Sequence, residues 1–413
     1  MLNCKILVKK IKIFFYFLFF VNITTTMAGG GVIQIVATGQ QDVYLTQSPV
    51  LTFFKGVYRR HTNFAIESIE NTFNGNPAFG QKVSAVIARS GDLVHKVYLR
   101  VELPSIAGTA VAYVDAVGHS LIKDVTLTIG GTQVDKHYGE WLSVWNELTL
   151  PESKHSKYLE LIGQRPSLTT TGSAVTGEVI YVPMEFWFNR NAGLALPLIA
   201  LAYHEVKLEF TFRTLAEITV GTLSSSPSLP GASLYVDYVF LDAEERKNFA
   251  QSPHEYLIEQ LQFTGSEAVS GSSYKSRLSF NHPVRELVWG IRRTANTSAK
   301  DWTNFEGASG TDTFSTAKLQ LNGNDRFSER DAMTFNMIQP YQSHTRIPGK
   351  GIYVYSFSLK PEQMQPSGSL NFSRIDNATL MLNSPTAGDL FVFAVNHQIF
   401  RVMSGMGGVA YNS

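Results

Sequence analysis

The chain has almost no cysteine: one in 413 residues, Cys4. No intramolecular disulfide can form, so the fold either rests on buried apolar surface alone or forms in a reducing compartment. Charge excess is missing too, since 35 Lys and Arg stand against 34 Asp and Glu, a net +1. A protein that wraps nucleic acid needs a basic surplus to neutralise phosphates, so direct genome binding is not expected. Catalytic signatures are also absent. The sequence contains no G-x-S-x-G, no G-x-x-x-x-G-K-[ST] and no G-x-G-x-x-G. His204-Glu205 lacks the second histidine of a zinc helix, because Leu208 stands four residues after His204. His254-Glu255 fails in the same way, with Ile258 in that place. Both histidines read as polar residues at strand edges. Asn322–Arg326 carries oxygen ligands without calcium-loop spacing and reads as a turn. The glycines Gly29–Gly31 and Gly405–Gly408 read as flexible terminal segments. No catalytic residue, metal ligand or cofactor is assigned, and no enzymatic role is expected.

What the chain does have is apolar material. Hydrophobic residues make up 44% and charged residues 17%, enough for large cores, and the length suits about two domains. Residues 1–26 stand apart: Lys5, Lys9, Lys10 and Lys12 precede the apolar run Ile13–Val21. That run is shorter than the roughly 20 residues that span a bilayer. Three readings stay open for it: a secretory signal, a membrane-surface anchor, or a start set too early, with translation from Met27.

From Met27 onward the pattern is mostly β. In "DLVHKVYLRVEL" and "DVTLTIGG" apolar and polar residues alternate, with Val125, Leu127 and Ile129 on one face and Thr126 and Thr128 on the other. "IYVYSFSL" behaves alike, and Gly, Pro, Asn and Ser clusters separate the runs. Period-2 runs of this kind predict antiparallel strands of a sandwich or barrel. The exception is 138–163, where Trp141, Trp145 and Leu148 recur at helical spacing and Tyr158, Leu161 and Ile162 follow a break at Pro151. It predicts a helical excursion between strands.

The chain also repeats itself. Phe64, Ile66, Glu67 and Ile69 return as Tyr256, Ile258, Glu259 and Leu261, and Leu127, Ile129 and Gly131 return as Leu319, Leu321 and Gly323, both at an offset of 192 (256 − 64; 319 − 127). Leu196, Leu198, Leu201, Val206 and Leu208 return as Leu370, Phe372, Ile375, Leu380 and Leu382, now at 174 (370 − 196). Three echoes in order imply an internal duplication, with the helical excursion supplying the extra length of the first copy. A boundary is expected between the strand-like "LYVDYVFLD" and "EYLIEQLQF". This gives a leader 1–26, an arm 27–52, a first unit 53–242, a linker 243–254 and a second unit 255–413.

Two surface features remain. Lys55, Arg59, Arg60 and His61 sit among Phe53, Phe54, Tyr58 and Phe64, a cationic aromatic cluster that suits an anionic surface or a solvated approach to the first strand. Sequons occur at Asn22, Asn296, Asn371 and Asn377, and only Asn296, in polar "TANTSAKD", is a reasonable glycan acceptor.

The long blocks "QDVYLTQSPVLTFFKGVYRRHTNFAIESIE", "GGTQVDKHYGEW", "GLALPLIALAYHEVKL", "PHEYLIEQLQFTGSE" and "QPSGSLNFSRIDNATL" together resemble the major capsid protein of nucleocytoplasmic large DNA viruses, of the algal-virus type. The likeness runs from Met27 to the C-terminal "MSGMGGVAYNS", and the leader is a departure from it. It implies an all-β chain of two consecutive eight-stranded antiparallel jelly rolls, in agreement with the duplication, with the helical excursion in the first. It further implies a homotrimer of pseudo-hexagonal outline that tiles an icosahedral shell, assembled in the host cytoplasm and located in the virion. The partners would be other copies of the chain, minor capsid proteins and the inner viral membrane, with no nucleic acid and no cofactor. On this reading 27–52 is an arm beneath the first roll, and Lys55, Arg59 and Arg60 face inward. Loops such as 296–310 face outward. Two alternatives stand beside it: a lectin-like carbohydrate-binding β-protein, with Trp302 as the single aromatic platform, and a minor, membrane-tethered capsid paralogue. A β-rich hydrolase is disfavoured by the missing motifs.

Overall fold

The computed structural model describes residues 29–349 and 351–411. The leader 1–26, with Cys4 and Asn22, lies outside the described residues. The chain divides into two units, one ending at His61 and one beginning at Thr62. Residues 53–61, expected within the first roll, therefore fall in the unit that precedes it. The described part of that unit holds two short helices, α1 (Gly30–Val36) and α2 (Gln40–Thr46). Asp42 starts α2 by accepting from the Gly39 N–H at 2.7 Å. Gly30 and Gly31 thus belong to a helix.

The second unit contains two rolls built on one plan. The strands of the first are β1 (Phe64–Thr72), β2 (Lys82–Val86), β3 (Leu93–Glu102), β4 (Ile122–Ile129), β5 (Thr132–Tyr138), β6 (Val179–Pro183), β7 (Val206–Phe212) and β8 (Gly231–Leu241). Those of the second are β9 (His254–Phe263), β10 (Ser273–Leu278), β11 (Pro283–Arg293), β12 (Thr316–Leu321), β13 (Asn324–Asp325), β14 (Tyr353–Ser356), β15 (Ala378–Asn383) and β16 (Gly388–Met403). In the first roll the sheets run β1-β8-β3-β6 and β2-β7-β4-β5; in the second, β9-β16-β11-β14 and β10-β15-β12-β13. All these pairs are antiparallel. Each of these sixteen strands has its counterpart eight places away in the other roll, and the first roll adds a third sheet made of Thr219–Leu223, Ile106–Tyr113 and Gly172–Val175. This is the double jelly roll.

The sequence shows why. β7 buries Val206, Leu208, Phe210 and Phe212 and leaves Lys207, Glu209 and Thr211 half-exposed, so one register alone serves the core. The β4–β5 hairpin turns on Gly130 and Gly131, and the β12–β13 hairpin on Asn322 and Gly323, all with positive φ. Two-residue turns of that handedness match the twist of paired strands and accept only such residues readily. β11 is different: nine of its eleven residues are buried. Leu287, Trp289 and Ile291 face their own core, while Val288 lies among residues on the opposite side of the sheet. A strand buried on both faces has something packed outside it.

That something is helical. Between β5 and β6 lie α3 (Gly139–Thr149) and α4 (Glu152–Leu161). The same interval of the second roll, between β13 and β14, holds a π-helical stretch (Thr334–Ile338) that continues as α-helix over Gln339–Ser343. Both rolls therefore carry a helix here, and the excursion is not peculiar to the first. The expected linker is also helical: α5 (Ala243–Gln251) is capped by Asp242, whose side chain accepts from the Glu245 N–H at 2.9 Å. The expected flexible C-terminus is a strand. Met406–Val409 pairs with the end of β16.

Candidate functional site

The most heavily built region is the seam between the two rolls. It starts from the helical spacing of α3. Leu142 enters the core of the first roll, while Trp141, Val144, Trp145 and Leu148 turn to the second and meet Val288, Ile352, Val354, Phe391, Phe393 and Val395. Each such side chain gains about 1.5–3 kcal/mol relative to exposure. Cores also cross over. Ile258, Phe400 and Val402 of the second roll join the first roll's core. An apolar seam of this kind makes the rolls one rigid body rather than two hinged domains.

Charges are buried in the same seam. Glu140, at the start of α3, accepts from Arg213 Nη2 at 2.6 Å, just after β7, and from Arg292 Nη1 at 3.0 Å on β11. Glu259 on β9 pairs with Arg190 of the first roll at 2.7 Å and is held in a fork by Arg285 of the second. Burial pushes the Glu259 carboxyl up, but the two guanidiniums outweigh it and hold its pKa below the ordinary carboxylate value. A β-bulge aims Arg285: the β11–β16 register shifts between Val284 and Glu286, which leaves Arg285 as the extra residue. Arg190 also lies 3.9 Å over the Trp145 ring. At the far end of α3, Arg346 of the second roll pairs with Glu147 at 2.9 Å.

Edge strands meet there as well. Gln260 on β9 donates to the Val134 carbonyl at 2.5 Å, and the Leu261 N–H donates to Asp135 at 3.1 Å. The two edges, β5 and β9, are thus covered by each other. The cavity beside them, lined by His137, Trp141, Glu185, Arg190 and Glu259 among others, measures about 10 Å³. That is room for about one water and no larger ligand. The C-terminal strand adds a clasp: the Tyr203 N–H donates to the Gly405 carbonyl at 2.9 Å, and His204 Nδ1 lies 2.9 Å from the Gly407 carbonyl. His204 sits in the turn before β7 rather than on a strand.

A second buried charge cluster lies within the second roll. His344, following the Gln339–Ser343 helix, has Glu286 at 3.0 Å on Nε2 and Glu362 at 2.9 Å on Nδ1. Burial alone would lower the imidazole pKa, but the two carboxylates reverse that and raise it to about 9.

The residues singled out from sequence fall in different places. Lys55, Arg59 and Arg60 are exposed and lie in the unit that precedes the rolls. Asn296 is not in an open loop. It lies in the helical turn Thr294–Ser298, buried, its Nδ2 donating to the Asn304 carbonyl at 3.0 Å and its Oδ1 accepting from Arg293 at 2.9 Å. The segment 296–310, expected to face outward, packs against the first roll: Lys300 donates to the Thr219 carbonyl at 2.7 Å. Trp302 is no open sugar platform either. Its Nε1 donates to the Glu217 carbonyl at 2.9 Å, and Arg213 and Arg292 stack on it at 4.5 and 5.1 Å. The seam charges Glu140, Arg190, Arg213, Glu259, Arg285 and Arg292 carry no sequence motif, since partners up to 152 positions apart meet only through the fold. The one available signal was Trp141 and Trp145, two large aromatic side chains one turn apart on a helix.

Among the described residues no group of three or more His, Cys, Asp and Glu side chains is placed to hold a metal, and no helix is long and apolar enough to cross a membrane. Two family models match the chain: "Major capsid protein N-terminus" over residues 52–242 and "Large eukaryotic DNA virus major capsid protein" over 245–408. The chain is 48% identical to a major capsid protein of Pyramimonas orientalis virus, covering 93% of this chain and all of that one. It is 42% identical to a major capsid protein of Paramecium bursaria Chlorella virus 1, covering 92% and 99%. A quasi-atomic model of the PBCV-1 virus capsid superimposes with a TM-score of 0.79 at 37% identity, covering 88% of this chain and all of the matched one.

Proposed function

Since the chain belongs to the major capsid proteins of large eukaryotic DNA viruses, and so is a structural component of the virion capsid, we propose that it works as a homotrimer whose six rolls form a pseudo-hexagonal building block. The observation that carries this reading is the rigid seam. Two rolls of one topology, held by a shared core and by Glu140 and Glu259, turn one chain into two lobes at a set angle. Three such pairs related by a threefold axis give six near-equivalent lobes, a shape that tiles by weaker lateral contacts. The trimer forms in the host cytoplasm and then joins the shell.

The cationic cluster belongs to the same proposal. Lys55, Arg59 and Arg60, with the exposed Phe53, Phe54 and Tyr58, form the inward contact to minor capsid proteins or the anionic face of an inner membrane. The test of the assembly is the light-scattering mass of the purified full chain. A species of three times 45.8 kDa that survives dilution is expected. A monomer across the same concentrations sinks the proposal.

A further inference from the structure

Three buried nitrogens belong to residues that line the small cavity of the seam. Trp141 Nε1, Arg190 Nε and His137 Nδ1 are each shielded from solvent, and none finds a hydrogen-bond partner among the described residues. A buried polar atom forfeits the hydrogen bonds it made in water, so three around one cavity need a common explanation.

Their surroundings fix where they point. Asp135 and His137 sit two apart on β5 and share a face. The His137 ring stacks on Phe186 at 4.5 Å, and its Nε2 lies 3.1 Å from Asp135, which is itself tied to the Leu261 N–H. Trp141, in the first turn of α3, is fully buried against Trp145 and Phe393. Arg190 ends the helical turn Trp187–Arg190; Glu259 holds its Nη1 at 2.7 Å while its guanidinium rests on Trp145. A fourth group completes the set. Glu185, just after β6, brings Oε2 to 3.8 Å from Arg190 Nε. That is beyond a direct hydrogen bond and is a gap that a shared water closes. Burial pushes the Glu185 carboxyl above the ordinary carboxylate range, as expected of an acid short of donors.

The chemistry of the four selects the ligand. Trp141 Nε1 and Arg190 Nε can only donate. With Nε2–H turned to Asp135, the neutral His137 ring offers the lone pair of Nδ1, and the Glu185 carboxylate accepts as well. Two donors and two acceptors suit a molecule with two lone pairs and two hydrogens. The N–H groups turn away a cation, and the carboxylates of Asp135, Glu185 and Glu259 turn away an anion. A volume of about 10 Å³ admits nothing larger than a single water.

We propose that the seam encloses one structural water, which accepts from Trp141 Nε1 and Arg190 Nε and donates to His137 Nδ1 and Glu185 Oε2. All four partners belong to the first roll, and the second closes the site with Glu259, Gln260, Leu261 and Val395. The water is trapped as the rolls dock, whether or not the chain then trimerises. It also reverses the usual effect of filling a cavity. An added methyl group in a dry void stabilises a protein. Here it expels the water and leaves four polar groups buried and unpaired.

The experiment is a density map of the full chain at a resolution that shows ordered water. One compact peak is expected within about 2.6–3.2 Å of the four named atoms. Val395→Ile, which lengthens a side chain of the cavity wall, is expected to lose that peak and to lower the folding equilibrium constant in urea about tenfold. A cavity without density, density too large for a water, or a Val395→Ile chain more stable than wild type overturns the proposal. Should the variant fail to fold, the wild-type map decides by itself.

Discussion

Glu140→Gln is the sharpest test of the seam. One carboxylate there serves two guanidiniums, Arg213 at 2.6 Å and Arg292 at 3.0 Å, with all three side chains 7–8% exposed. The amide keeps the shape and removes the charge, leaving two buried cations facing each other. Breaking a buried pair by removing one partner costs about 3–5 kcal/mol. The lower end applies, because Arg213 keeps the Ser120 carbonyl at 2.8 Å and both cations keep the Trp302 ring. Urea unfolding followed by tryptophan fluorescence reads this directly, with Trp141, Trp145 and Trp302 all at the seam. A loss of about 3 kcal/mol is expected, more than a hundredfold in the folding equilibrium. Arg292→Met supplies the second edge of a double-mutant cycle. Once Glu140 is neutral, removing Arg292 relieves an uncompensated charge, so the double variant should cost less than the sum of the singles, by about 0.5–3 kcal/mol. A single-variant cost below about 1 kcal/mol, in the range of surface pairs, together with strict additivity, would refute the argument that these charges are buried against each other.

Two further outcomes follow from the same geometry. His344, with its pKa raised from 6.5 to about 9, contributes stability that is complete below about pH 6.5 and lost as the pH rises through 9; melting temperatures of wild type and His344→Gln should differ at pH 6 and converge by pH 10, and a gap that widens with pH contradicts the triad. A Cβ on Gly407 meets Leu201 at 2.5 Å and the Phe400 ring at 2.9 Å, so Gly407→Ala should cost about 1–3 kcal/mol in chemical denaturation, and a neutral result would mean the C-terminal strand does not pack on the first roll.

Much of the architecture was legible in the sequence, for physical reasons. The second and third echoes mark counterparts in the fold: Leu127 and Leu319 lie on β4 and β12, Val206 and Leu380 on β7 and β15, and each is buried in its own roll. Period-2 alternation survives duplication because it is set by burial. The first echo marks counterpart strands, β1 and β9, but not counterpart faces. Ile69 pairs with Val236 toward its own core, whereas Leu261 pairs with Val395 on the seam. The sequence showed apolar residues at matching spacing and could not show which layer each would cover. The same limit hid the seam charges and misplaced Asn296 and Trp302. Polar residues in "TANTSAKDW" look like an exposed loop until the other roll is packed against them. The C-terminal glycines misled for a related reason: Ser404 and Gly405 take the positive φ of a tight hairpin turn, a role that composition alone reads as slack.

The clasp formed by the end of the chain has a consequence for synthesis. Phe400 and Val402 complete the first roll's core, and Gly405 and Gly407 hold the turn before β7. A ribosome that has finished the first roll has therefore not released a finished lobe. At about 5–20 residues per second, that lobe waits roughly tens of seconds for its last wall to emerge. Until those residues emerge, the first roll lacks Phe400 and Val402 from its core, so it is expected to complete its packing only after the second roll has been made.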